Sequence, residues 1–137
     1  MSENLDLVRS IYAALNDAYR TGEYAAQDVA AFAHPHVVLR TSGMFPESGE
    51  YYGHDALRQF ALNQAQAFES MAVKPLEYID VGARIVVPVH FGGKARHTGI
   101  DATFEVVHVW TFRDGKVSEL AMFRSRDEAL QAAKEME

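Results

Sequence analysis

The hydrophobic pattern changes period once, near Met71, and that change limits the folds open to this 137-residue chain. Ahead of it, apolar residues recur every three or four positions, the spacing of helices with one buried face. Behind it, they gather in runs of Val, Ile, Phe, Thr and Trp divided by glycines, the mark of strands joined by turns. Helices followed by successive hairpins make an α+β protein rather than an alternating α/β one. A mostly antiparallel sheet with helices on one face bends around them and leaves room for a cavity between the two layers, and a short C-terminal helix closes the chain.

Leu5, Val8, Ile11, Tyr12, Leu15 and Tyr19 give the first helix, with Asn4 as its cap and Gly22 as its stop. Tyr24 to Ala33 gives a second, ending near His34-Pro35 because a residue before proline is pushed out of the helical region. Val37-Val38-Leu39 reads as a short strand, Thr41 to Gly53 as a loop, and His54 to Glu69 as a third helix carrying Leu57, Phe60, Ala61, Gln64 and Phe68. Strands follow over Val73 to Val81, Arg84 to Phe91, Ile100 to Phe112 and Lys116 to Arg124, with turns at Gly82, Gly92-Gly93 and Asp114-Gly115. Arg126 to Met136 closes the chain as a helix capped by Ser125 or Asp127.

Composition narrows the function. The chain has no cysteine, which excludes a thiol nucleophile, a zinc ribbon and an iron–sulfur site. Thirteen basic against nineteen acidic residues give a net charge of −6, which argues against a grip on nucleic acid. No apolar run approaches the ~20 residues of a membrane span, and the N-terminus lacks the layout of a signal peptide. The expectation is one cytoplasmic domain over residues 1–137.

YYGHDALRQF at 51–60, HVWTFRDGKVSEL at 108–120, RSRDEALQAA at 124–133 and AALN at 13–16 together resemble SnoaL-like proteins of the nuclear-transport-factor-2-like superfamily, which includes the ketosteroid isomerases. The resemblance covers almost the whole chain and implies a cone with an internal pocket, its curved, mostly antiparallel sheet wrapped around the N-terminal helices. It also implies positions for chemistry. The isomerase tyrosine falls on Ile11, its carboxylate base on Arg40 and its protonated acid on His108. The final-strand aspartate of SnoaL cyclases and limonene-type epoxide hydrolases falls on Met122. Each catalytic group is replaced, so none of these three chemistries is expected to transfer, and the fold by itself names no function.

Strand alternation sorts the remaining candidates. If His108 faces the cavity, so do Phe104, Val106, Trp110 and Phe112, while Glu105, Val107 and Val109 face away. On the last strand Ser118, Leu120, Met122 and Arg124 share a face that Glu119 avoids. The expected ligand pocket takes Ile11, Tyr12, Leu15, Tyr19, Phe60, Phe104, Val106, Trp110, Leu120, Met122 and Arg124, and is anchored by His108 and Arg40. His108 is either an acid, base or donor, or a core imidazole satisfied by a carbonyl or tyrosine. Arg40 either clamps a carboxylate or enolate, or pairs with Glu47 or Glu50. The six histidines have no spacing that a metal site requires. Lys94, Arg96 and His97 read as a solvated basic edge.

Two functions fit. One is an enzyme of cofactor-free proton transfer, an isomerase, cyclase or lyase, acting on a small hydrophobic or anionic molecule without metal or nucleotide. The other is a non-catalytic binding, structural or dimerisation module. Val107 and Val109, turned away from the helices, need cover, which suggests a homodimer.

Overall fold

Residues 2–41 and 49–135 are described by the computed structural model. Helix α1 (Ser2–Thr21) stops at Gly22, whose φ of 78° lets its N–H reach back to the Ala18 carbonyl. Then follow α2 (Ala26–Phe32), β1 (Ala33–Thr41), β2 (Gly49–Tyr52), α3 (Gly53–Ala67), β3 (Phe68–Pro75), β4 (Ile79–Val81), β5 (Arg84–Ala95), β6 (Asp101–Arg113), β7 (Lys116–Phe123) and α4 (Arg126–Glu135). The strands form one curved, unclosed sheet in the order β2-β1-β7-β6-β5-β3, with β4 on β5. Every pairing is antiparallel except that of β1 with β7. No described helix is long and apolar enough to cross a membrane.

Alternation along the strands divides the apolar residues into two layers. Leu39, Val87, Val89, Val106, Trp110, Leu120 and Met122 point inward and pack with Val8, Ile11, Tyr12 and Phe60 of α1 and α3. Val86, Val107, Val109 and Ala121 point outward, where Ala129 and Ala133 of α4 cover them. This overturns the argument for a homodimer: the two valines that needed cover receive it from the chain's own tail helix. That helix starts as the sequence predicts, with the Ser125 hydroxyl accepting the Glu128 N–H at 3.1 Å.

Several local expectations fail, among them the Asn4 cap, which lies inside α1. Gly92-Gly93 is no turn. Both residues lie inside β5, opposite Thr103 and Ala102 of β6, and a Cβ on Gly93 would sit 3.2 Å from the Met71 Cα. The glycine is there because β3 bulges toward it, with Ser70 at φ 60° and the register broken between Glu69 and Ala72. The expected strand over Val73 to Val81 is two strands, and β3 begins at Phe68, where the third helix was expected to continue. Within the expected loop, Gly49–Tyr52 pairs as a strand with Val38 to Thr41; residues 42–48 lie outside those described. β1 also runs straight through His34-Pro35-His36, because its pairing with β7 skips from Ala33 to Val38 and asks no N–H of the proline. Asp114-Gly115 is the turn expected, with φ of 55° and 78° joining β6 to β7.

Candidate functional site

The sheet and the three N-terminal helices do not close completely. Between them lies an apolar cavity of about 50 Å³. α1 contributes Ile11, Leu15 and Tyr19, four residues apart on one line of the helix. α3 contributes Leu57, Phe60, Ala61 and Gln64, again one face. Tyr24 and Phe32 close one side, and the sheet supplies Leu39, Phe91, His108, Trp110, Val117, Leu120 and Met122. The opening is small: about 10–15 Å³ on this scale holds one water molecule.

His108 is 1% exposed and half satisfied. Its Nδ1 lies 2.7 Å from the Tyr12 hydroxyl, and that hydroxyl accepts the Trp110 indole N–H at 2.9 Å. The Tyr12 and His108 rings are within 5° of parallel, and the Trp110 ring stands at 89° to both. The other imidazole nitrogen, Nε2, is buried with no partner among the described residues. Burial pushes the His108 pKa down to about 3, so the ring is neutral at pH 7. Burial likewise raises the Tyr12, Tyr19 and Tyr24 phenols, which stay protonated.

Arg40 is not part of this site. Leu39 points in, so the next residue of the strand must point out. There the Arg40 guanidinium pairs with Glu50 and, at 2.9 Å, with Glu119. Of its two expected partners, Glu50 is present and Glu47 lies outside the described residues. Arg124 is also exposed, one residue past the end of β7. The expected convergence of Arg40, Arg124 and His108 therefore does not occur, and among the described residues the lining carries no ionised group at neutral pH. Among the described residues no three His, Asp or Glu side chains gather as a metal would require.

The family model for the SnoaL-like domain matches residues 8–120. The chain belongs to the SnoaL-like domain family. Solved structures of SnoaL-like and nuclear-transport-factor-2-like proteins superpose on it along nearly their whole length. One of unknown function from Burkholderia pseudomallei K96243 is 26% identical, with a TM-score of 0.69 over 96% of this chain and 97% of the other. TerC, co-crystallised with polyporic acid, is 24% identical, with a TM-score of 0.69 over 97% and 98%. A protein assigned as a SnoaL-like polyketide cyclase from Jannaschia sp. CCS1 is 15% identical, with a TM-score of 0.74 over 97% and 92%. No curated protein matches the sequence.

Within this SnoaL-like pocket, the expected residues divide. Ile11, Leu15, Tyr19, Phe60, His108, Trp110, Leu120 and Met122 line it. Tyr12 stands behind His108 as its partner instead. Val106 is buried in the inner layer away from the opening, and Phe104 packs on Phe91 with ring centroids 5.2 Å apart. Several lining residues escaped the sequence reading. Gln64 is 9% exposed on the apolar face of α3, and a glutamine at an apolar-face position was the signal for it. Val117 escaped because the β6–β7 register passes from Thr111↔Glu119 to Phe112↔Val117, leaving out Ser118. Strict alternation from Leu120 points Ser118 inward, and the bulge gives that place to Val117.

Proposed function

We propose that this SnoaL-like chain, acting as one domain, binds a small, uncharged and largely apolar organic molecule between α1, α3 and the inner face of the sheet. The observation that carries this reading is an apolar cavity whose polar wall groups among the described residues, Tyr19, Tyr24, Gln64, His108 and Trp110, are neutral, with the nearby cation Arg40 turned outward and neutralised. An ionised ligand would lose its hydration there and find no counter-charge. This replaces the anionic ligand that a clamp by Arg40 would favour. TerC, a protein of the same fold crystallised with polyporic acid, supports a small organic molecule as the ligand class.

Binding, rather than proton transfer, fits the site. A base works best with a pKa near the operating pH, and His108 at about 3 sits far below neutrality. Among the described residues the lining holds no carboxylate to take its place. An isomerase, cyclase or lyase built here would have to act by polarising a bond rather than by removing a proton.

The small volume favours a second reading, a core slightly underpacked and unliganded. Ligand pockets usually measure about 300–1,000 Å³, so a guest would have to displace side chains such as Leu15 and Leu57. Thermal shift separates the two. Neutral aromatics should raise the melting temperature saturably, while benzoate and benzylamine should not. If no neutral compound acts and Ala61→Leu simply stabilises the chain by filling the space, the packed core is the better description.

A further inference from the structure

We infer that His108 is held as its Nε2–H tautomer by Trp110 and Tyr12, and that this N–H is the donor for an oxygen acceptor on the ligand. The pocket then selects neutral carbonyl compounds. The inference rests on the proposed binding of an uncharged guest and adds the group by which that guest is recognised.

The tautomer follows from counting hydrogens. The Trp110 indole nitrogen only donates, so at 2.9 Å the Tyr12 oxygen must accept. Tyr12 remains a phenol, with one hydrogen of its own to give, and its other neighbour is His108 Nδ1 at 2.7 Å. If Tyr12 donates to Nδ1, both hydrogens of the chain are used and the neutral ring carries its proton on Nε2. The opposite tautomer would aim two donors at one oxygen. It would also strand the Tyr12 O–H, in addition to leaving Nε2 bare. One orphaned group is better than two.

That remaining orphan is the signal for a ligand. Buried donors almost always have an acceptor, and Nε2 has none among the described residues. It belongs to a ring that lines the cavity and meets Phe91 edge to face at a centroid distance of 6.1 Å, a contact that offers no oxygen. A carbonyl oxygen supplies the missing acceptor without bringing a charge. A hydrocarbon leaves the donor orphaned, an ammonium ion repels it, and a carboxylate enters without a counter-ion.

A matched pair of guests tests this on the wild-type chain. Acetophenone and α-methylstyrene have nearly the same shape and differ in a C=O against a C=CH₂. Acetophenone should bind roughly three- to tenfold more tightly, the worth of one neutral hydrogen bond. ¹⁵N-resolved NMR of the imidazole should place the proton on Nε2 in the free protein and move that resonance with acetophenone alone. In Tyr12→Phe, which frees Nδ1 to take the proton, the preference for the ketone should fall toward unity while α-methylstyrene affinity stays. A free protein protonated on Nδ1, equal affinities for the pair, or a Tyr12→Phe chain that keeps the ketone preference would each overturn the inference and leave the binding reading standing. If neither guest binds, the binding reading fails and the inference with it.

Discussion

The two faces of one sheet have been finished differently. On the outer face, Val86, Val107, Val109 and Ala121 meet Ala129 and Ala133 of α4, small side chains that let the helix sit close. Beside this layer Arg40 pairs with Glu50 and Glu119, and the buried Thr111 hydroxyl has no partner among the described residues. On the inner face the side chains are larger and aromatic, a cavity remains, and one nitrogen of His108 is unsatisfied. Close packing of small side chains with no cavity between them marks a surface that serves stability. The guest proposed above would occupy the space left beside His108 on the inner face. Because neighbouring residues of β6 serve opposite faces, His108 and Val109 belong to different tasks although they are adjacent in sequence.

The largest effect should come from stripping the outer face. Deleting residues 126–137 uncovers Val86, Val107 and Val109, each worth about 1.5–3 kcal/mol when fully buried, less the ordering entropy of the helix. Urea denaturation should show a loss of roughly 3–5 kcal/mol with the inner pocket and the His108 NMR signals intact. A chain that no longer folds would show the two layers to be a single cooperative core.

Acid should act through the inner face. His108 titrates at about 3 when folded and near its ordinary value of 6.5 when unfolded. Between these values the unfolded chain binds the extra proton. The contribution of this group is therefore complete above about pH 6.5 and is lost as the pH falls toward 3, at about 1.4 kcal/mol per pH unit. Chemical denaturation from pH 7 to pH 4 should give a steeper decline for wild type than for His108→Gln, which has no imidazole to protonate. Parallel profiles would mean that the ring is charged or exposed in the folded chain.

The smallest effect belongs to Arg40. Its pairs are partly exposed, and such pairs typically contribute no more than about 1 kcal/mol. Arg40→Met should cost less than that and leave the affinity for a neutral guest unchanged. A variant that loses ligand binding would place Arg40 within reach of the pocket and blur the distinction between the faces.

How far the site could be read in advance depended on the regularity of each element. Within β6 the period of two holds, so Trp110 faces the inner layer and Val107 and Val109 the opposite one. It failed at β7, where a bulge exchanges Ser118 for Val117. Arg40 stands where the family pattern places a base, but the residue beside the inward-facing Leu39 must face out. Gly92-Gly93 looked like a turn because a glycine pair in a strand pattern has two causes, a reversal of the chain or a close neighbour, and only the approach of Met71 distinguishes them.

The amino-acid sequence determined what local periodicity and turn chemistry can fix. It set the helices ahead of the strands, the Asp114-Gly115 hairpin, the capped tail helix and the faces of β6, because each depends on residues a few positions apart. Tertiary structure decided what depends on distant partners. Tyr12 and Trp110 lie 98 positions apart, and Tyr12 and His108 lie 96 apart. Nothing local indicates that a helix hydroxyl will bridge an indole and an imidazole on one strand. The outward pairing of Arg40 with Glu119, 79 positions away, and the cover of Val109 by α4 are of the same kind. Such contacts form only when the sheet curves and the helices settle on its two faces, and they leave His108 neutral, half satisfied and facing the cavity.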